Sequence, residues 1–460
     1  MTPQPDATAK RIVLSIALLA GFITPFDGSS VNIALPVIGA EFAMGAVTLS
    51  WVATAYLLAA AVFLVPFGRI ADIHGRKKVF ATGLSLFTLA SFLLIFSPSS
   101  TAFILLRVMQ GCGSAMIFGT GVAILTSVFP PGERGQALGL YTTAVYLGLS
   151  MGPFLGGLMT HHLGWRSIFL VNVPLGVLTV LLIRWKLPGE WAEARGQRFD
   201  LVGSLIYGFS LVALILGLTL LPEITGAALI ATGAVSLYIF STWELRQESP
   251  VLNMRLFAHN RVFAFSNLAA LINYSATYAI TFLLSLYLQY IQAFTPQTAG
   301  TVLIVQPLVQ VFISPFAGRL SDRVEPGKVA SMGMGVISIG LVSLAFLSES
   351  TSIPILIGSL VLLGFGMALF SSPNTNAIMS SVEKTYYSVA SGTLGTMRLL
   401  GQMFSMGLTA MVFAIIIGHV QITPVFFPAF LQSIHLLFIL FIGLCLIGIV
   451  ASLVRGRVRG

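Results

Sequence analysis

The chain of 460 residues is 56% hydrophobic and only 8% charged, which excludes a water-soluble globular protein because so few charges could not cover its surface. Its mean hydropathy of +0.95 predicts an all-α polytopic membrane protein. The formal net charge of +9 is spread over the loops between apolar segments, so it indicates membrane topology and no nucleic-acid partner.

Apolar segments long enough to cross a bilayer, about 20 residues each, follow one another along the whole chain. They predict fourteen membrane spans, and 21 of the 24 Lys and Arg residues fall in the termini or in alternate loops. Because basic loops stay on the cytoplasmic side, both termini are expected to be cytoplasmic. The predicted spans are residues 12–36, 47–67, 79–97, 102–129, 135–160, 165–184, 201–221, 226–243, 262–289, 297–317, 329–348, 353–371, 389–416 and 431–453.

The first predicted span contains Asp27, the only carboxylate deep inside a span. It lies about 15 residues, and so roughly 22 Å, from the start of the span, and Arg107 in span four lies at a similar depth. Ionisable groups cost about 2.5–3.5 kcal/mol each to insert into a membrane and mark function. A cation that approaches or leaves a carboxylate changes its proton affinity. Asp27 and Arg107 are therefore the predicted proton-coupling pair, and the alternative is a static ion pair that only positions helices.

The loop after span two reads Gly-Arg-Ile-Ala-Asp-Ile-His-Gly-Arg-Lys-Lys over residues 68–78. Asp72, at this helix boundary, is expected to pair with a nearby arginine or to interact with the N-terminus of a neighbouring helix. The candidate arginines are Arg69, Arg76 and Arg134. The alternative is an ordinary turn whose basic residues only determine topology.

The same loop pattern recurs 250 residues later, after span ten. The matched positions are Gly68 and Gly318, Arg69 and Arg319, Asp72 and Asp322, and Lys78 and Lys328. Spans one to six are therefore predicted to be duplicated as spans nine to fourteen. The predicted domains are a six-helix bundle over 1–184, two inserted helices with their flanking loops over 185–260, and a second six-helix bundle over 261–460. Since both copies begin on the same side, they would form parallel repeats with a substrate site between two rocking bundles.

Polar side chains recur at helical spacing on one face of several spans, so these faces are expected to point into the bundle interior. Such a stripe either lines a cavity or joins helices by hydrogen bonds. The predicted cavity residues are Asn32 in span one, Gln110 and Ser114 in span four, Tyr274 and Tyr278 in span nine, Gln306 and Gln310 in span ten, and Arg398 and Gln402 in span thirteen.

Span five contains an unusual concentration of residues that disfavour soluble helices, namely Gly148, Gly152, Pro153, Gly156 and Gly157. A membrane tolerates them because neighbouring helices and side chains satisfy the freed backbone groups. Glycines four residues apart also allow two helix backbones to approach closely. Span five is therefore predicted to bend and to pack tightly against a partner helix.

These motifs resemble signatures of the major facilitator superfamily. The matching segments are the 68–78 loop, Arg107-x-x-Gln110-Gly111, residues 148–157 and Trp-Arg-Ser-Ile-Phe-Leu-Val-Asn-Val-Pro at 165–174. Residues 26–36, together with Ser391-Gly392 and Arg398-Leu-Leu-Gly401, resemble its fourteen-span drug:proton antiporter family. The resemblance implies the major facilitator fold and export of drugs across the cytoplasmic membrane of a prokaryote.

The resemblance also implies two roles for the motifs. Residues 148–157 would be an antiporter motif that limits leak during exchange, and the loop motif would be a cytoplasmic gate that stabilises the outward-facing state. The predicted gate residues are Gly68, Asp72, Gly75, Arg76, Arg134 and Asp322.

Neither an enzyme nor a nucleotide-driven pump is expected. The glycine-rich segments lack the Gly-Lys-Ser/Thr end of a phosphate-binding loop, and no nucleophile, histidine and acid set stands out. The six histidines have no metal-ligand spacing, so no metal or cofactor is expected and the proton gradient would supply the energy.

We therefore expect an alternating-access antiporter that exports lipophilic drugs or toxic compounds in exchange for protons, an activity that confers antibiotic resistance. The alternatives are an exporter or facilitator of a specific metabolite and, with least support, a membrane sensor or scaffold. The expected partners are small lipophilic substrates, protons and the lipid bilayer. A monomer is expected, and the need for a periplasmic adaptor is left open.

Overall fold

The computed structural model describes residues 7–130, 133–187, 189–247, 249–383 and 386–456. Across these ranges the protein is all-helical and contains fourteen helical segments long and apolar enough to cross a membrane, which confirms the predicted fold class. The helices are α1 (Ala7–Glu41), α2 (Ala46–His74), α3 (Arg76–Ile95), α4 (Ser100–Val128), α5 (Arg134–Leu163), α6 (Arg166–Lys186), α7 (Leu201–Thr219), α8 (Ile224–Arg246), α9 (Met254–His259), α10 (Arg261–Leu286), α11 (Pro296–Leu303), α12 (Val305–Arg323), α13 (Pro326–Leu344), α14 (Ile353–Ser380), α15 (Tyr387–Ile416) and α16 (Phe427–Val454).

Helix α2 continues to His74, so residues 68–74 of the predicted loop are helical, and three further helices differ from their predicted spans. Span nine is α10 extended by a π-helical turn over Tyr287–Ile291. Span ten is divided into α11 and α12 at Ile304, because Pro307 has no amide hydrogen to donate to the carbonyl of Leu303. Span twelve continues to Ser380, beyond the predicted end at residue 371, because polar side chains lower the hydropathy there without interrupting the helix.

Helix packing follows the same plan in the two halves, α1–α6 and α10–α16. In the first half α1 packs on α5, α2 on α4, and α3 on both α4 and α6. In the second half α10 packs on α15, α12 on α14, and α13 on both α14 and α16. These pairings correspond one to one under the repeat that the sequence predicts. The domain boundaries themselves stay a prediction.

The inserted helices α7 and α8 pack on each other, and α7 lies beside both halves. The Tyr207 hydroxyl donates to the carbonyl of Ala61 in α2 at 3.2 Å. On the other side of α7, Ile215 lies against Gly407 of α15. The pair therefore touches the interface between the halves while leaving the two six-helix bundles intact.

An even number of spans places the described ends of the chain on one side of the membrane, which we call the terminal face; the other side is the opposite face. The two halves touch at the opposite face. Ser285 donates to the carbonyl of Asn32 at 2.8 Å, Gln289 to the carbonyl of Ile33 at 2.9 Å, and the amide of Ala46 to the carbonyl of Val420 at 2.8 Å. These bonds hold α1 and α2 against the second half.

At the terminal face, by contrast, polar groups bond within their own half. Lys10 pairs with Glu133 at 2.8 Å, and Asn260 donates to the carbonyl of Ser381 at 2.6 Å. In the terminal half of α15, a methyl group added at Gly395 would meet no atom within 4 Å. The halves are therefore closed together at the opposite face and separated toward the terminal face.

Candidate transport site

Asp27 lies in the core of the first half and is 0% exposed. Its Oδ2 is 2.7 Å from Nη1 of Arg107. Its Oδ1 accepts from Nε2 of Gln110 at 3.0 Å and from Nδ2 of Asn172 at 2.7 Å. Both oxygens therefore act as acceptors, the arrangement that a charged carboxylate requires.

The guanidinium of Arg107 is positioned by α2 as well as by Asp27. Its Nε donates to the carbonyl of Val52 at 3.3 Å, and its Cζ lies 4.4 Å from the centre of the Tyr56 ring. Arg107 also donates to Oε1 of Gln110. The Gln110 amide thus contacts both members of the ion pair and fixes their positions relative to each other.

The predicted cavity residues fall into different environments. Gln110 and Ser114 are fully buried within the first half, where Ser114 accepts a hydrogen bond of 2.7 Å from Tyr56. Tyr278, from the second half, lies beside Asn32 and within electrostatic range of Arg107 and Asp27. In this conformation Gln110 and Ser114 support the ion pair, and Tyr278 reaches it from across the interface.

Asn172 is absent from the predicted site although it contacts Asp27 directly. An amide in the apolar span six, near the end of the 165–174 motif, is the signal that could have identified it. Hydropathy alone gives no direction for that side chain. The packing of α6 on α1 brings it to Asp27.

A second group of predicted residues surrounds Arg398 on α15. The guanidinium of Arg398 lies 5.2 Å from the centre of the Tyr274 ring on α10. Tyr146 and Tyr141 of α5 lie within electrostatic range of Arg398, and the Tyr146 hydroxyl is 2.7 Å from that of Ser371 on α14. We call Arg398, Tyr274, Tyr146 and Tyr141 the arginine–tyrosine cluster. Both halves contribute to it.

The remaining predicted cavity residues have no direct link to Asp27 or Arg398 among the described contacts. Gln310 is buried at 8% exposure, while Gln306 and Gln402 are half-buried. The backbone carbonyl of Gln306 lies against Gly364, which places α12 close to α14. Their assignment to a cavity stays a prediction.

The predicted gate loop binds a segment that the sequence analysis does not connect with it. Asp72 pairs with Arg76 at 2.7 Å, so Arg76 is the partner chosen from the three candidates. Arg76 is 4% exposed, pairs with Glu193 at 2.7 Å and donates to Ser127 at 2.6 Å. Burial tends to raise the pKa of Glu193, but the hydrogen bond and charge of Arg76 outweigh it and lower the pKa.

None of the other predicted gate residues contacts the opposite half among the described contacts. Gly75 adopts φ +123° against the Glu190 side chain, a conformation that favours glycine. Arg134 donates to the carbonyl of Phe129 at 2.8 Å, and Asp322 accepts from Asn376 at 3.4 Å. Gly68 faces α4, where an added Cβ would lie 3.9 Å from the carbonyl of Gly119.

The corresponding corner of the second half contains Arg455, which the sequence analysis does not single out. Arg455 is 0% exposed and donates to Ser266 at 3.1 Å and Asn374 at 3.0 Å. Burial lowers the pKa of Arg455 to about 10, although the Glu325 carboxylate opposes the shift. The end of α16 is thereby attached to α10 and α14 at the terminal face.

The glycine motif of α5 has two packing faces. On one face Gly148, Gly152 and Gly156 lie directly against α1, where Ser29 and Ser30 donate to the carbonyls of Gly148 at 3.3 Å and Gly152 at 3.1 Å. On the other face, the motif meets α11 of the second half. The contacts there join Gly157 with the carbonyl of Pro296, and Gly300 with the carbonyl of Pro153. The motif therefore packs the first half internally and also closes the opposite face.

The Major Facilitator Superfamily model matches residues 17–406 and 266–459. The chain belongs to the Major Facilitator Superfamily. As a member of this superfamily it is a multi-pass membrane transporter and not an enzyme.

The major facilitator protein is similar to several named bacterial relatives. It is 32% identical over 401 residues to the riboflavin transporter RibZ of Clostridioides difficile (strain 630), covering 86% of each chain. It is 32% identical over 386 residues to the multidrug resistance protein Stp of Mycobacterium tuberculosis (strain CDC 1551 / Oshkosh), covering 83% of this chain and 71% of the relative. It is also 31% identical over 403 residues to the cephamycin export protein CmcT of Amycolatopsis lactamdurans, covering 85% and 83%.

Solved transporters share the fold of this major facilitator protein. A bacterial homologue of the human lysosomal transporter Spinster, in an inward-facing and unoccupied conformation, superposes with a TM-score of 0.68 at 16% identity over 98% of both chains. The human organic anion transporter MFSD10 superposes with a TM-score of 0.63 at 16% identity, covering 98% of this chain and 100% of that one. The fold is therefore shared far beyond recognisable sequence similarity.

Proposed function

We propose that this protein is a proton-coupled antiporter that exports lipophilic compounds, including drugs, by alternating access. The observation that carries the proposal is the buried pair of Asp27 and Arg107, within reach of Tyr278 from the other half. A proton site must respond to the movement of the halves if it is to couple the two fluxes. Similarity to named multidrug and cephamycin exporters supports the drug class.

The proposal places both termini in the cytoplasm, in the cytoplasmic membrane of a prokaryote, because the basic loops lie on that side. The separation of the halves toward the terminal face then corresponds to an inward-open state. In such a state an antiporter has released its proton and is ready to bind its substrate. The contact of Asp27 with Arg107 fits that step, since a nearby cation favours the deprotonated form of a carboxylate.

Closure at the terminal face would complete the cycle. Movement of α10 changes the position of Tyr278 relative to Asp27 and Arg107. A weaker contact between Asp27 and Arg107 then raises the proton affinity of the buried Asp27 carboxylate. Asp27 would then take up a proton from the outside while the substrate leaves. The predicted gate network around Asp72 and Arg76 would assist by engaging the second half in the outward-open state. No cofactor is part of the proposal, and the protein is proposed to act as a monomer, with an adaptor left open.

Transport by purified protein in proteoliposomes tests the proton role. Asp27→Asn should lose at least about 90% of pH-gradient-driven substrate transport but keep exchange down a substrate gradient, because the binding cavity remains. Glu223→Gln is the matched control, since Glu223 is an exposed carboxylate that bonds to Thr225 at 3.0 Å. Full gradient-driven transport by Asp27→Asn would refute proton coupling at this residue.

Export or facilitated transport of one metabolite is the second candidate, because a riboflavin transporter is among the relatives of equal identity. Drug sensitivity on deletion and overexpression, measured beside riboflavin flux in the same cells, separates the two functions. Changed tolerance to several unrelated compounds, abolished by an uncoupler, supports drug export. Riboflavin flux without any change in drug tolerance supports the metabolite function instead.

A further inference from the structure

Arg398 differs from the other arginines inside the membrane-spanning part of the chain. Arg107 is paired with Asp27, whereas no carboxylate within the described ranges lies at ion-pair distance from Arg398. The Nε atom of Arg398 is buried and has no hydrogen-bond partner. Arg398 as a whole is half-buried, and a guanidinium inside the membrane-spanning part without a counter-ion is unfavourable, so the arrangement favours an anion that the folded chain itself does not supply.

The neighbours of Arg398 can complete an anion site. Tyr274 presents its ring to the guanidinium, and Tyr146 and Tyr141 approach from α5. The hydroxyl of Tyr141, which is only 6% exposed, also has no hydrogen-bond partner. A phenolic hydroxyl can donate to an oxyanion that the guanidinium holds. An unused donor and an unused cationic nitrogen thus occur in one cluster.

The position of the cluster fits a transported ligand rather than a bound lipid. Arg398 is 11 residues beyond the start of α15 at Tyr387, so it lies about 16 Å from the terminal face. Tyr146 and Tyr141 belong to the first half, while Arg398 and Tyr274 belong to the second. A ligand held between them would be released when the halves move, as alternating access about a central site requires.

We propose that the arginine–tyrosine cluster binds the anionic group of the transported substrate, which is an aromatic or otherwise lipophilic organic anion. A planar guanidinium matches the two oxygens of a carboxylate, or two oxygens of a sulfonate or phosphate group. The tyrosine rings offer an apolar, aromatic surface for the rest of the molecule. A lipophilic cation placed at the same site would be repelled by Arg398. The inference rests on the proposed transport function and specifies its substrate class.

Binding to purified protein in nanodiscs, measured calorimetrically at neutral pH, tests the proposal without a gradient. Three probes share the naphthalene ring and carry an anionic, a neutral or a cationic substituent: 2-naphthoate, 2-naphthamide and 2-naphthylmethylammonium. Wild-type protein should bind 2-naphthoate at least about tenfold more tightly than the amide and the cation. Arg398→Gln should abolish that preference, and Arg398→Lys should keep part of it because the charge remains but the planar fork is lost.

Thr396→Val is the matched control, because Thr396 lies on the same helix, is buried and donates to the carbonyl of Gly392 at 3.1 Å. It should bind the three probes like the wild type. Equal binding of the three probes by wild-type protein, tighter binding of the cation, or an unchanged preference in Arg398→Gln would each overturn the proposal. If Arg398→Gln does not fold, the wild-type preference and its reduction in Arg398→Lys decide the matter.

The experiments distinguish failure of the anion site from failure of the proposed transport function. Arg398-dependent binding of 2-naphthoate, without gradient-driven transport in proteoliposomes, would leave the anion site standing and refute proton-coupled transport. Gradient-driven transport that persists while binding shows no preference for the anion would refute the anion site alone.

Discussion

The contact between Gly157 and Pro296 predicts a substitution that changes the conformation of the transporter. A Cβ at Gly157 would lie less than 3.0 Å from the carbonyl oxygen of Pro296, whereas ordinary contact begins at 3.4 Å. The two helices would have to separate by at least about 0.4 Å. Because they belong to different halves, the strain is present when the opposite face is closed and is relieved when it opens.

The expected magnitude follows from the cost of overpacking. One added methyl group in a closely packed contact costs about 1–3 kcal/mol. In an equilibrium between two conformations that cost corresponds to a shift of about 5- to 150-fold. Gly157→Ala should therefore move the population strongly toward the state that is open at the opposite face, without a comparable loss of folding stability.

Two further glycines in α5 serve as controls. Gly152 lies against Ser29 within the first half, where an added Cβ would be less than 3.0 Å from the serine hydroxyl. Gly152→Ala should lower thermal stability without shifting the conformational equilibrium, because α1 and α5 stay together in both states. At Gly139 an added methyl group meets no atom within 4 Å, so Gly139→Ala should change neither property.

Spin-label distances across the opposite face measure the population directly. Labels at Thr101 and Ser350, exposed positions of the two halves at that face, require a background in which Cys112 and Cys445 are replaced. Gly157→Ala should enlarge the long-distance fraction, and Gly139→Ala should leave it at the wild-type value. An unchanged distance distribution in Gly157→Ala would refute the assignment of this contact to the seal between the halves.

Two other contacts lead to measurable predictions. Asn172→Ala should lower the free energy of unfolding by about 1.5–3 kcal/mol, because Asp27 loses a charge-assisted hydrogen bond; a chemical unfolding curve like that of the wild type would contradict this. Glu193 has a lowered pKa, below the ordinary value of 4.5, so its pairing with Arg76 stabilises the protein fully above about pH 4.5 and less as the pH falls through the folded-state pKa. Its side chain is 64% exposed, so the loss should be below about 1 kcal/mol. Melting temperatures of wild type and Glu193→Gln should therefore converge at acidic pH, and a constant difference down to pH 3 would argue against the pairing.

Much of the architecture could be predicted because a bilayer imposes a strong local constraint. Every span must be apolar and long enough to cross it, so fourteen spans could be read from hydropathy, and the recurrence of the 68–78 loop predicted a duplication. Inserted charges are costly in the same way, which is why Asp27, Arg107 and Arg398 stood out before any contact was known. These are properties of each segment by itself.

The contacts between segments required the tertiary structure. No local pattern shows which residues Asn172 and Glu193 contact, and each meets its partner, Asp27 or Arg76, only because helices and loops distant in sequence pack together. Likewise, the sequence predicted Arg107 as a proton-coupling residue and Arg398 as a cavity residue, but only the fold shows that one is paired with a carboxylate and that the other lies beside tyrosines. The hydropathy of a segment depends only on its own residues, whereas the partner of a buried charge depends on which helix faces pack together. That long-range packing separates the candidate proton site from the candidate substrate site.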